Sequence, residues 1–116
     1  MENMNERLKE INDNLAKFKE LTPEQMKIFH EFLEVVEKDS ILSRKQKELI
    51  SVAIAVVSHC EWCIAFHVKA ALDLGCTEKE IIEAAWVAVL MGGAPALMYA
   101  QLVLKAIKDF AKNRGR

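Results

Sequence analysis

Two cysteines three positions apart, a histidine four positions further on and a glutamate twelve positions upstream are the residues here that can do chemistry: Cys60, Cys63, His67 and Glu48. On a helix, at about 100° per residue, Cys60, Cys63 and His67 point to about 0°, 300° and 340°, so they share one face. A helix beginning near Cys60 also sets the thiols at its positive end, where the macrodipole and unpaired N–H groups stabilise a thiolate. A neighbouring cysteine can turn an oxidised sulfur into a disulfide. His67 is placed to accept or donate a proton for Cys63.

Glu48 has two readings. Taken alone it is a solvated charge near a helix terminus, the usual place for glutamate. Partly buried beside an apolar helix, it becomes a proton carrier for a thiol. The Cys/His face also admits a metal reading, with Cys60, Cys63 and His67 as three ligands around an open position. A structural zinc site wants a fourth ligand, usually from a second Cys/His pair. The remaining candidates are Cys76, His30 and His59, which form no such pair, so no metal is expected. Cys76, after Gly75, reads as an inert small hydrophobe. His30 reads as a surface or packing residue. Trp62 and Phe66 read as packing around the thiols or as an apolar wall for a substrate.

The surrounding chain must supply helices to hold these groups. Its 116 residues are 52% hydrophobic and 28% charged, with two prolines, four glycines and 7% aromatics. That composition fits one all-α domain over residues 1–116 and excludes a disordered chain. A net charge of −1 excludes broad nucleic-acid binding, which needs a basic excess. There is no long linker, low-complexity tract or internal repeat.

Local signals divide the chain into about six helices. Met4, Leu8, Ile11, Leu15 and Phe18 form a narrow apolar stripe on a first helix over 1–21, the pattern of a helix docked on another. Thr22-Pro23-Glu24-Gln25 predicts a capped restart, and the second helix runs to about Lys38 with Met26, Phe29, Phe32, Leu33 and Val36 as its apolar face. Ser43 with Gln46 opens a third helix that is apolar from Leu49 to Val57 except at Ser51. A turn at Ser58-His59 leads to a fourth helix from about Cys60, capped near Gly75. Thr77 with Glu80 opens a fifth, with Ile81, Ile82, Ala85, Trp86, Val89 and Leu90 inside. Pro95 begins the last, and Met91 and Met98 read as core.

The third and fifth helices are apolar nearly all round, and a chain this short cannot cover two such helices. A homo-oligomer is therefore expected. Residues 84–104 carry no charge, but Gly92-Gly93-Ala94-Pro95 breaks the run. It reads as two buried helices and not a membrane span. The polar, acidic start Met1–Glu6 shows no secretory signal. The odd cysteine count with a Cys-x-x-Cys pair suits a reducing, cytoplasmic compartment.

Glu48, eleven residues, Cys60-Glu61-Trp62-Cys63, three residues and His67 spell E-x11-C-x2-C-x3-H. This resembles the core signature of the alkyl hydroperoxidase D (AhpD)-like proteins of the carboxymuconolactone decarboxylase family. Gly75-Cys76-Thr77-Glu78-Lys79-Glu80-Ile81 and the Gly92-Gly93 turn are similar too, and the resemblance covers residues 25 to 108. It implies an AhpD-like helical bundle that assembles as a trimer or hexamer with the site near subunit contacts. It implies thiol peroxidase or disulfide reductase chemistry, of peroxiredoxin type, with no cofactor beyond a Cys60–Cys63 redox disulfide. By that resemblance Cys63 attacks a hydroperoxide, Cys60 is its disulfide partner, and Glu48 and His67 form a proton relay. A lipoyl- or thioredoxin-type protein would return the electrons. The best-known members carry a histidine before the second cysteine, where this chain has Trp62. The family's decarboxylase branch generally lacks the cysteine pair, so lactone decarboxylation is the alternative activity. A metal-binding or redox-sensing oligomer is the non-catalytic alternative.

Overall fold

The computed structural model describes residues 3–114, with side chains to residue 112. Among the described residues there are six helices and no strand: α1 (Met4–Leu21), α2 (Pro23–Glu37), α3 (Arg44–Val57), α4 (Glu61–Asp73), α5 (Glu78–Gly92) and α6 (Ala94–Arg114). The all-α expectation and the helix count both hold.

The starts of α3 and α5 follow from residues three apart. Gln46 N–H donates to Ser43 Oγ and the Gln46 side chain takes the Ser43 N–H. Thr77 and Glu80 repeat the arrangement. Each pair satisfies two backbone donors that a helix start leaves open. The α1–α2 junction differs from expectation. Pro23 opens α2, but no side chain caps it. The Thr22 hydroxyl instead donates to Phe18 O at 2.7 Å and closes α1.

α3 and α4 end in the same way. After α4, Gly75 N–H donates to Leu72 O and Cys76 N–H to Ala71 O, with Gly75 at φ 89°. After α3, His59 N–H donates to Val56 O and Cys60 N–H to Ala55 O, with His59 at φ 57°. Both are Schellman closures, which need a left-handed residue just past the helix. Glycine adopts it freely, whereas a histidine meets a steric cost of about 1–2 kcal/mol.

α3, α4, α5 and α6 pack on one another, and α1 lies against α4, α6 and α2. The core joins Val52 and Val56 of α3, Ile64 and Val68 of α4, Ile81 of α5, and Val103 and Phe110 of α6, all fully buried. Met4 of α1 is buried among them. Its backbone N–H donates to the Asp109 carboxylate at 2.9 Å.

Several burial expectations are corrected. Within one chain α3 and α5 are not covered on all sides: Ile50, Ile54, Trp86, Leu90 and Met91 are exposed, as is Met98 of α6. Along α1 only the first part of the stripe is covered, and Phe18 is exposed. α2 buries no residue fully, and Phe29, Phe32 and Val36 are exposed. Apolar composition dictated that these faces seek cover, but six short helices lack the surface to supply it. The uncharged run over 84–104 is divided at Gly93, and no helix among the described residues is long and apolar enough to cross a membrane.

Candidate active site

The α3 closure delivers the chain directly into the start of α4. Cys60 is the N-cap of α4, and its Sγ accepts the Cys63 N–H at 3.2 Å. α4 itself runs from Glu61, one residue beyond the expected start. A sulfur at this position sits where the helix N–H groups and macrodipole favour negative charge. Cys60 and Cys63 are joined as a disulfide with Cα atoms 5.3 Å apart. His59, the strained residue before Cys60, stacks on Tyr99 of α6 with ring centroids 4.3 Å apart and planes 2° from parallel. That stack ties the cysteine-bearing turn to the neighbouring helix.

His67 lies one turn beyond Cys63 on α4. Its Nδ1 is hydrogen-bonded to Oε1 of Glu48 on α3. Glu48 is 2% exposed, so it is not the solvated end charge that its type alone suggests. A carboxylate in that position needs a partner, and His67 supplies it. The contact fixes the ring and leaves Nε2 as the other exchangeable position. The structure thus brings together all four residues singled out in the sequence.

Two cavities meet at this group. A chamber of about 520 Å³ is lined by Ile11, Leu15 and Phe18 of α1, Phe29 and Leu33 of α2, and Trp62, Cys63, Phe66 and His67 of α4, with Asn14 and Glu37 as further polar residues. A smaller cleft of about 170 Å³ is lined by Ser51, Ile54, Ala55, Ser58, Cys60, Cys63 and His67. Cys63 and His67 border both; Cys60 borders the cleft and not the chamber.

Trp62 and Phe66 form an apolar wall of the chamber beside Cys63. Arg7 of α1 lies over the Trp62 ring, 4.8 Å from its centroid, and pairs with Glu61 at 3.8 Å. The first helix is thus clamped across the start of α4. Arg7 and Tyr99 are the site-supporting residues that the sequence reading missed. Their contacts join distant helices and leave no local signal.

Cys76 is buried, with its thiol pushed up by that burial. His30 is exposed on α2. Among the described residues no group of three or more His, Cys, Asp or Glu side chains converges so as to hold a metal ion.

Known proteins with the same architecture give this geometry its context. A carboxymuconolactone decarboxylase family protein from Legionella pneumophila, solved in its apo form, superposes with a TM-score of 0.89 at 40% identity, over 92% of this chain and 96% of its own. A protein of the same family from Thermotoga maritima shares the fold at 21% identity and a TM-score of 0.82, over 94% and 93% of the two chains. An uncharacterized protein of Cupriavidus necator is 35% identical over 84% of this chain and 87% of its own. Uncharacterized protein 4 of the cox locus of Paracoccus denitrificans is 41% identical over 65% of this chain and 68% of its own. The sequence profile of one family matches residues 23–106, from the start of α2 into α6. The chain belongs to the carboxymuconolactone decarboxylase family.

Proposed function

We propose that this protein is a thiol-dependent hydroperoxide reductase of the AhpD-like type, cycling between a Cys60/Cys63 dithiol and the disulfide. The reading rests on the Cys60–Cys63 pair at a helix N-terminus, one turn from a histidine bonded to a buried carboxylate. An antioxidative response has been suggested for the Thermotoga maritima protein.

The chemistry balances as follows. The Cys63 thiolate attacks the terminal oxygen of a hydroperoxide, the O–O bond breaks, and the alcohol leaves with a proton from His67. Cys63 is now a sulfenic acid. The Cys60 thiol gives its proton to the departing hydroxyl as its sulfur attacks Cys63, so the S–O bond breaks, water leaves and the disulfide forms. One hydroperoxide is reduced by two electrons and two thiols are oxidised. A dithiol carried by a lipoyl- or thioredoxin-type protein then reduces the disulfide. Glu48 holds the His67 ring in one orientation and neutralises the imidazolium when it is protonated. The chamber walls of α1, α2 and α4 receive the organic part of the hydroperoxide. The dithiol cycle calls for no cofactor or metal beyond the disulfide, and the uncovered apolar faces of α2, α3 and α5 support a homo-oligomer, which the AhpD-like reading takes as a cytoplasmic trimer or hexamer.

The test is a free-thiol count and intact mass on reduced protein before and after one equivalent of cumene hydroperoxide. The expected result is loss of two thiols at Cys60 and Cys63, abolished by Cys63→Ser. Three intact thiols after prolonged exposure would overturn the reading. Turnover of a carboxy-lactone by the double cysteine variant would instead assign the family's decarboxylase chemistry.

A further inference from the structure

The disulfide stands between two spaces of different size. On one side the wide, apolar chamber reaches Cys63. On the other the smaller cleft, with Ser51 and Ser58 in its lining, reaches Cys60 as well as Cys63. We propose that the two half-reactions use different doors: the oxidant enters by the chamber to Cys63, and the reducing thiol enters by the cleft and attacks Cys60 Sγ. This rests on the dithiol-cycle reading above.

Three observations carry it. The first is access, since Cys60 borders the cleft and not the chamber. Thiol–disulfide exchange depends on which sulfur the incoming thiolate can reach. The second is the fate of the departing sulfur. Attack on Cys60 breaks the Cys60–Cys63 bond and leaves the electron pair on Cys63, one helical turn from His67, which supplies its proton. The third is the next step. The second thiol of the reductant attacks the mixed disulfide, forms the reductant's own disulfide and expels Cys60 as a thiolate. The Cys63 N–H at 3.2 Å and the start of α4 hold that charge, and a stabilised thiolate leaves faster. Two electrons pass from the dithiol to the disulfide.

The cleft also limits the shape of the reductant. About 170 Å³ suits a slender aliphatic thiol, free or at the end of a flexible arm carried by a protein. The larger chamber, walled by Leu15, Phe18, Trp62 and Phe66, suits the bulkier organic hydroperoxide.

The decisive experiment uses the oxidised wild-type protein. It is mixed with 2-mercaptoethanol, quenched in acid at short times, and the adduct is located by peptide fragmentation. At the earliest times Cys60 is expected to carry at least ten times more adduct than Cys63. Equal or inverted labelling overturns the proposal. Two blocking variants give a second reading. Ser58→Trp and Ile54→Trp in the cleft are expected to slow reduction by dithiothreitol tenfold or more relative to oxidation by cumene hydroperoxide. Leu15→Trp in the chamber is expected to shift that ratio the other way. Ratios that move together in all three overturn the two-door arrangement. If no blocking variant folds, the adduct position on the wild type decides alone. Failure of the reduced wild type to consume hydroperoxide overturns the peroxidase reading, and the adduct position still decides where the thiol enters.

Discussion

His67 Nδ1 on α4 is hydrogen-bonded to Oε1 of Glu48 on α3, a contact between residues nineteen apart in sequence. Glu48 is the most deeply buried charged residue among those described. The two side chains form one unit, since the carboxylate has its partner only while the ring is there. Glu48→Gln and His67→Gln are each expected to slow hydroperoxide-driven thiol loss about 100-fold or more, the scale of a positioned proton donor. The double variant should be no slower than the slower single one, because groups acting together are not additive. Single-turnover oxidation of the three variants measures this, with circular dichroism reporting the fold. Additive losses would mean that the two residues act separately.

Met4 N–H, in the first turn of α1, donates to Asp109 Oδ2 at 2.9 Å, and Lys105 Nζ lies 3.2 Å from the same oxygen. Burial pushes the Asp109 carboxyl up, but the Met4 N–H and the Lys105 and Lys112 cations outweigh it and hold it below the ordinary value of 3.8. A depressed folded value means stabilisation that is complete above that ordinary value and lost as pH falls through the lower folded one. Asp109→Ala is expected to cost about 1–3 kcal/mol near neutral pH, the cost of a buried hydrogen-bonding group left unpaired. The difference in melting temperature should narrow as pH drops below about 3.8. Melting curves from neutral to strongly acidic pH check both statements, and a difference independent of pH would refute the assignment.

Gly92, the last residue of α5, packs close against α3 and α6. A Cβ there would lie 2.9 Å from Ala96 Cβ and 3.1 Å from Val57 Cγ2. Neither atom belongs to a long side chain that can swing away, and Ala96 is fully buried. Alanine favours a helix over glycine by about 1 kcal/mol. Forcing α5 from α3 and α6 costs about 1–3 kcal/mol, and the overpacking is expected to win. Gly92→Ala should therefore lower the melting temperature. A rise would show that the helices slide apart without loss.

The features legible in the sequence are those that depend on near neighbours. Ser43 with Gln46, Thr77 with Glu80 and the left-handed Gly75 are each settled within three or four residues. The shared face of Cys60, Cys63 and His67 follows from helical geometry alone, once α4 is recognised. What could not be read involves choices between partners. The Thr22 hydroxyl has two helix ends within reach and bonds to Phe18 O of α1 instead of capping α2. Glu48 is solvated or buried according to where α4 lies, and its own position says nothing of that. The Met4–Asp109 bond spans 105 residues, and the His59–Tyr99 stack joins a turn to α6. No periodicity marks either one.

The apolar content of α5 yields the last prediction. Trp86, Leu90 and Met91 are 55%, 80% and 77% exposed in the single chain, and Met98 of α6 is exposed as well. Several large apolar side chains exposed on one short helix mark a surface that meets a partner. A second copy of the chain offers the same surface, and closed symmetry lets like patches be covered together. Sedimentation should therefore give a mass several times the 13.2 kDa of one chain. Leu90→Glu places a charge in the middle of that face without touching the core, so it should lower the mass while leaving the helical content intact. The Cys60–Cys63 site lies on α4 and Leu90 on α5, so its thiol chemistry should survive if the subunits are independent. Loss of activity together with loss of mass would mean that a neighbouring subunit completes the site. A wild-type mass of one chain would refute the assembly itself.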